Sequence, residues 1–248
     1  MNPPLLELRG VGKRFGLLVV ADELDLVLRT GETLGIVGPN GAGKSTLFAM
    51  ISGELKPDGG TVHIDGREIT QLAAHERTVA GIGRTFQIPR PFEGMTVFEN
   101  VLLFATAGGG LRGTAAIVRA AETLDRTGLG ARANKRAGEL GLLQRKRLEV
   151  ARALASGPRV LLLDEVAGGL TDPEVAVFLD LVEEIKEQGL AIVWIEHVVH
   201  ALLAAVDRLA CLAGGRLIAD GDPHEVLRDQ AVRDLYVGHA VTTEEDLV

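Results

Sequence analysis

Gly38-Pro39-Asn40-Gly41-Ala42-Gly43-Lys44-Ser45-Thr46 is the stretch that decides how this chain is read. The nine residues fit G-x-x-x-x-G-K-[ST], a loop whose backbone N–H groups cradle phosphate oxygens. The run Leu34, Gly35, Ile36, Val37 before it is short, apolar and of strand length. Behind Lys44, residues 45–52 are helix-competent, with Gly53 placed to stop them. Strand, glycine loop and helix are the context this pattern needs. Gly38, Gly41 and Gly43 let the backbone turn its N–H groups onto an anion without Cβ clashes. The following helix aims the positive end of its dipole at the same anion. Lys44 is expected to reach β- and γ-phosphates, and the Ser45 hydroxyl to ligate Mg²⁺.

Working outward, a second signal lies at 160–165, Val-Leu-Leu-Leu-Asp-Glu. An apolar strand ending in two carboxylates places them at its C-terminal edge, where α/β sheets bind ligands. Asp164 is expected to hold Mg²⁺ through water, and Glu165 to polarise the attacking water as general base. Taken alone, the pair reads equally as a solvated strand end. His197 follows the apolar run 191–196, where an imidazole can bond a γ-phosphate; a surface histidine is the plain alternative. His200, three residues on, reads as part of a solvated helix face. Gln87, in R-T-F-Q, offers an amide oxygen to Mg²⁺ or water, or is a polar linker residue. Phe15, before Gly16, is either an exposed ring that stacks on a base or a core residue.

The chain has 248 residues, of which 46% are hydrophobic, enough for one large domain with a lobe. Its net charge of −8 argues against a broad nucleic-acid face. One cysteine, Cys211, excludes an internal disulfide and fits a reducing compartment. No apolar run approaches the ~20 residues of a membrane helix. The N-terminal residues lack a basic segment followed by an apolar one, so no signal peptide is expected. Work at a membrane therefore requires recruitment by another subunit.

Residues 5–11 alternate loosely and read as an edge strand; 24–29 alternate cleanly as another. Residues 57–60 form a turn, 61–64 a strand, and Asp65-Gly66 turns it back. The pattern then becomes helical at 97–107 and 115–127, linked by Gly108, Gly109 and Gly110, and again at 142–155. In this last helix Leu148, Ala151 and Ala155 share a face, with Arg145, Lys146 and Arg152 expected mostly outside it. Strands at 160–164, 191–196 and 209–212, with a helix at 173–188, imply a parallel sheet of buried strands. Gly214-Gly215 closes a hairpin into 216–219, and the acidic tail from Thr242 is expected to fray. The result is an α/β nucleotide-hydrolase fold with a mostly parallel core sheet, an antiparallel β subdomain and a helical lobe. Its parts are a core at 1–87 and 156–240, a lobe at 88–155 and a tail at 241–248.

In order, Phe15-Gly16, the phosphate loop, Gln87, the helical segment, Leu140-Gly141-Leu142-Leu143-Gln144, L-L-L-D-E and His197 resemble the ATP-binding cassette of ABC transporters. The segment G-I-G-R-T-F-Q-I-P-R-P-F-E-G-M-T-V-F-E-N-V is similar to ATPase subunits of branched-chain amino-acid importers. So are R-L-E-V-A-R-A-L-A, I-E-H-V-V-H-A-L and D-L-Y-V-G. The resemblance implies ATP and Mg²⁺ as cofactors, adenine stacking on Phe15 beside Val20, coupling through Gln87, and γ-phosphate sensing by His197. It implies a second cassette, identical or related, that receives Leu140 to Gln144 as a signature motif in trans. It further implies permease subunits holding the chain at the cytoplasmic face of the membrane, and a periplasmic substrate-binding protein. The chain departs from the pattern in places. The family signature resembles L-S-G-G-Q; Gly141 replaces its serine and Leu143 its second glycine. The Leu143 side chain is therefore expected to project where the family uses a glycine for close approach to the partner's ATP. Val166 stands for the usual proline, and Thr171, beside Asp172, for the usual Asp or Asn. The departures predict a weak signature and a preference for pairing with a related cassette. A cassette protein without a transporter, an importer of urea or amides, and a small-molecule kinase are the competing readings. The single phosphate loop disfavours the first, and L-G-L-L-Q with His197 disfavours the last.

Overall fold

A computed structural model describes residues 4–237; the tail expected to fray from Thr242 lies outside the described residues. In chain order, β1 (Pro4–Phe15) and β2 (Leu18–Arg29) form a hairpin, and β3 (Thr33–Val37) leads through the glycine loop into α1 (Lys44–Ser52). Next come β4 (Gly59–Ile64), β5 (Arg67–Glu68), α2 (Ala74–Val79) and β6 (Ile82–Arg84). Three helices follow: α3 (Val97–Ala107), α4 (Gly113–Arg126) and α5 (Leu142–Ala155). The remainder is β7 (Val160–Asp164), α6 (Asp172–Glu187), β8 (Ala191–Ile195), α7 (Val199–Ala205), β9 (Arg208–Ala213), β10 (Arg216–Gly221), α8 (Pro223–Arg228) and α9 (Gln230–Val237).

These strands make two sheets, a four-stranded one in the order β2-β1-β4-β5 and a six-stranded one in the order β10-β9-β3-β8-β7-β6. From β9 to β6 every pairing is parallel, and β10 closes the sheet as an antiparallel edge. All five residues of β3, β7 and β8 are buried. That is why they are apolar throughout rather than alternating: helices or the second sheet cover both faces. One face packs Leu6, Leu8, Leu34, Ile36, Phe48 and Val193 together, and the other Leu161, Leu163, Phe178, Val182 and Trp194. The lobe has its own cluster, in which Val97, Val101, Ala120 and Leu124 meet Leu148, Ala151 and Ala155 of α5.

Two expectations are corrected. Residues 5–11 are not an edge strand: β1 lies between β2 and β4 and runs to Phe15. Its alternation is loose because the pairing with β2 slips between Leu8 and Val11, where Gly10 takes a left-handed φ of 56°. Nor do Lys146 and Arg152 lie outside the packed surface of α5; both are buried. This helix is shared, since Val150, Ala153 and Leu154 pack into the main core while its opposite face serves the lobe. A helix covered from two sides has little surface left, so its charged side chains need internal partners. The sequence reading also passed over α2 and β6. Arg77 explains α2: its buried guanidinium donates to the carbonyls of Ile51 (3.0 Å) and Thr70 (2.8 Å), satisfying the C-terminal end of α1.

Candidate nucleotide site at the C-terminal sheet edge

Because β3, β8 and β7 are parallel neighbours, with Ile36 opposite Ile195 and Ile195 opposite Asp164, their C-terminal ends emerge side by side. The glycine loop, the Glu196–His197 pair and the Asp164–Glu165 pair therefore share one edge. Two loop glycines are needed for close packing. A Cβ on Gly43 would stand 2.4 Å from the Val20 carbonyl oxygen, and one on Gly38 would stand 2.1 Å from that of Leu212. Gly41 has open space around it but a φ of 81°, so its need is purely conformational. Behind the loop α1 begins at Lys44, and Gly53 ends it in the left-handed conformation. The Lys44 ammonium is buried and donates to the carbonyls of Gly38 (2.6 Å) and Pro39 (3.1 Å). Burial lowers its pKa, while the carboxylates of Glu165 and Asp164 act to raise it. Ser45 and Asn40 are exposed at the loop's mouth, Ala42 is buried and Thr46 is half-buried.

Burial also raises the Asp164 pKa, opposed by Arg84, whose Nη2 donates to Oδ2 at 2.9 Å. Arg84 additionally pairs with Glu54 at 3.0 Å. Glu165 differs from its neighbour. It adopts a left-handed φ of 47°, with its N–H donated to Ile195 O at 2.9 Å. His197 Nε2 lies 2.8 Å from Glu165 Oε1, and Gln87 Nε2 donates to Glu165 Oε2. The sequence-predicted base, histidine and glutamine thus meet in one hydrogen-bonded group. For His200, the side chain lies outside the described residues.

Phe15 closes β1 with 51% of its surface exposed, which removes the core reading, and the Lys13 ammonium lies 5.7 Å from its ring centroid. Val20 reaches the phosphate loop through the backbone contact at Gly43. The segment Leu140 to Gln144 starts α5. Gly141 is the N-cap, and its N–H is donated to Gln144 Oε1 at 2.9 Å. Leu143, expected to project toward a partner's nucleotide, instead packs half-buried against the main core. Leu142 is the exposed side chain there, at 44%. Thr171 is the N-cap of α6, and its N–H (3.0 Å) and hydroxyl (2.9 Å) both donate to the Glu174 carboxylate.

Sequence reasoning missed the roles of four residues, Glu196, Glu149, Arg152 and Lys146. Glu196 is buried and accepts N–H groups from Ala167 (2.6 Å), His197 (2.9 Å) and Val198 (3.4 Å), binding the loop after β8 to the loop after β7. Its signal was an acid ending an apolar run. Glu149 and Arg152 pair at 2.5 Å and together take both backbone groups of Arg90, downstream of Gln87. Lys146 donates to the Glu165 carbonyl at 3.2 Å. For a divalent cation, the described residues contain no cluster of three or more His, Cys, Asp or Glu. The oxygen donors Ser45, Asp164 and Gln87 nonetheless fit Mg²⁺, which is held through one or two carboxylates, here Asp164, together with substrate phosphates and water.

Residues 21–168 match the model of the ABC transporter family. The branched-chain amino acid transport ATP-binding protein BraF of Pseudomonas aeruginosa is 33% identical over 97% of this chain and 100% of its own length. LivG of Salmonella typhimurium, described in the same words, is 34% identical with the same coverage. A lipopolysaccharide export ATP-binding protein, LptB of Acidithiobacillus ferridurans, is also 33% identical, over 94% of this chain and 97% of its own. Among solved structures, the ADP conformation of the cassette MJ1267 superposes with a TM-score of 0.86 at 31% identity, covering 96% of this chain and 100% of that one. The fold and the shared edge thus define a P-loop ATPase of the cassette type. The chain belongs to the ABC transporter family and is one of its ATP-hydrolysing subunits.

Proposed function

We propose that this chain powers a membrane importer of branched-chain or related amino acids. The observation that carries the chemistry is the convergence of Lys44, Asp164, Glu165, His197 and Gln87 on one sheet edge. The cargo rests on the likeness to BraF and LivG. The export protein is as similar, at 33% identity, so the cargo reading rests also on segments 81–101 and 147–155, which resemble those of importer subunits.

In this reading, Lys44 and the loop N–H groups hold the phosphates, Phe15 stacks on adenine, and Val20 lines the site with Pro39, Asn40 and Thr46. Ser45, Asp164 and Gln87 would hold Mg²⁺, which would supply charge neutralisation at the nucleotide's phosphates. Glu165 accepts the proton of the attacking water, and His197, already bonded to it, orients the γ-phosphate. Binding energy is spent on closing two cassettes, the signature of each on the nucleotide of the other. Gly141 offers no hydroxyl, so the partner's site depends on the N–H groups at the start of α5. A related cassette with a fuller signature is the favoured partner. No helix among the described residues is long and apolar enough to cross a membrane. In this reading permease subunits hold the chain at the cytoplasmic face. A periplasmic binding protein delivers the cargo.

Glu165→Gln keeps shape and removes the base. It is expected to bind ATP, lose hydrolysis and accumulate as a closed cassette dimer in size-exclusion chromatography. Turnover at the wild-type rate sinks the assignment. Copurification with permeases and ATPase stimulation by a liganded leucine-binding protein test the cargo.

A further inference from the structure

We infer that Lys146 is a positioning residue for Glu165, tying the catalytic carboxylate to the helix that carries the signature. The inference rests on the reading of Glu165 as general base. Lys146 is 3% exposed, and its one hydrogen bond among the described residues goes from Nζ to the Glu165 carbonyl oxygen at 3.2 Å. Among the described residues no carboxylate lies within ion-pair distance of it, and Glu196 and Glu165 act on it only from further away. A buried ammonium with a single neutral partner is poor stabilisation, because desolvation is barely compensated. Such an arrangement needs another reason.

Glu165 supplies it. Its backbone is left-handed, which is unfavourable for any residue with a Cβ and persists only where the surroundings determine it. Two hydrogen bonds do so here. Ile195 of β8 accepts its N–H at 2.9 Å, and Lys146 of α5 donates to its carbonyl. The first bond belongs to the core sheet; the second comes from the helix whose N-cap is Gly141. The peptide that aims the Glu165 carboxylate toward His197 and Gln87 is therefore held from both sides, and displacement of α5 bears directly on the base. An error of about 1 Å in the placement of a reacting group costs up to about a hundredfold in rate.

Lys146→Met has the same reach and no donor. In the assembled transporter it is expected to lower ATP turnover tenfold or more, leave the ATP dissociation constant within threefold, and leave Tm unchanged or higher. Lys146→Gln, which keeps an uncharged donor, is expected to retain more turnover than Met. Wild-type turnover in Lys146→Met, a loss that follows lowered Tm or weakened ATP binding, or equal losses in Met and Gln would each overturn the proposal. Glu165→Gln runs in parallel. If it abolishes hydrolysis and Lys146→Met does not, only the positioning role fails; if it hydrolyses normally, the reading beneath fails.

Discussion

Glu196 offers the sharpest test of how the site is held together. Its carboxylate gathers N–H groups from two loops, Ala167 after β7 and His197 and Val198 after β8. Two of these bonds are short, 2.6 and 2.9 Å, and the third is long at 3.4 Å. A hydrogen bond to a charged group contributes about 1.5–3 kcal/mol, and donors left buried without a partner cost as much again at most. Glu196→Ala removes both short bonds, so a loss of about 3–6 kcal/mol is expected, a large fraction of the ~5–15 kcal/mol that holds a protein folded. Glu196→Gln keeps one acceptor oxygen and turns its NH₂ toward a donor. It should lose about half as much, roughly 1.5–3 kcal/mol. With a urea slope near 3 kcal/mol/M, the upper end of the usual range, the midpoint falls by about 1–2 M for Ala and about 0.5–1 M for Gln. The assay is urea unfolding followed by circular dichroism, with ATPase activity of the assembled complex measured well below the transition. Activity should fall in both variants, because the loop bearing His197 is no longer fastened to the one bearing Glu165. Midpoints within 0.2 M of wild type for Ala, or a Gln variant as damaged as Ala, would refute the reasoning, since about 0.6 kcal/mol is too little for two lost charge-assisted bonds.

Phe15→Ala is expected to weaken ATP binding by about 1–3 kcal/mol, measured by calorimetry, without lowering Tm, because the ring is half exposed. Gly41→Ala carries only a left-handed strain of about 1–2 kcal/mol, whereas Gly43→Ala also drives a methyl to 2.4 Å from the Val20 oxygen. Gly43→Ala should therefore lose nucleotide binding at conditions where Gly41→Ala retains it, and equal affinities would contradict the packing role of Gly43. Burial pushes the Cys211 thiol from 9.0 up to about 11, so native protein at pH 8 should react with a thiol reagent only after denaturation. Between pH 9 and 11 the unfolded chain releases this proton while the folded chain keeps it, so stability, followed by urea midpoints, should fall as pH rises through that window.

The parts legible in the sequence were those where one local requirement dominates. Strands β3, β7 and β8 are buried on both faces, so continuous apolar runs disclosed them nearly to the residue. Helices α3 and α5 begin and end where the helical pattern places them, and the structure adds their N-caps, Thr96 and Gly141, whose N–H groups donate to the Glu99 and Gln144 side chains. Less visible was whatever depends on a distant partner. Three-residue β6 earns its pairing from β7 alone, and β1 hides its length behind a bulge. Lys146 and Arg152 looked like solvent-facing charges because helical periodicity places a residue on a face without saying what covers that face.

The signature shows the same limit acting on function. Replacing a glycine by leucine at position 143 looked like an obstruction, on the assumption that the side chain projects toward the partner's nucleotide. In the fold, the start of α5 is rotated so that Leu143 leans on the main core, and Leu142 carries the exposed bulk. The Gly141 N–H is occupied by Gln144, and its backbone, at φ −70° and ψ 172°, is open to any residue. A Cβ there would meet only the Gln144 side-chain oxygen, at 3.1 Å. Nothing in the packing therefore demands glycine at 141, and the absence of a serine hydroxyl is a loss of chemistry rather than a concession to space. What α5 still presents is a helix N-terminus, whose N–H groups and dipole favour an anion irrespective of the side chains around them. Its other end of the bargain is internal: through Lys146 it holds Glu165, and through Glu149 and Arg152 it holds Arg90 downstream of Gln87. The departures from the family signature at 141–143 weaken what this helix offers outward and leave intact what it fastens inward. That is the physical basis for expecting the site formed by Lys44 and Glu165 to be the more active of a pair.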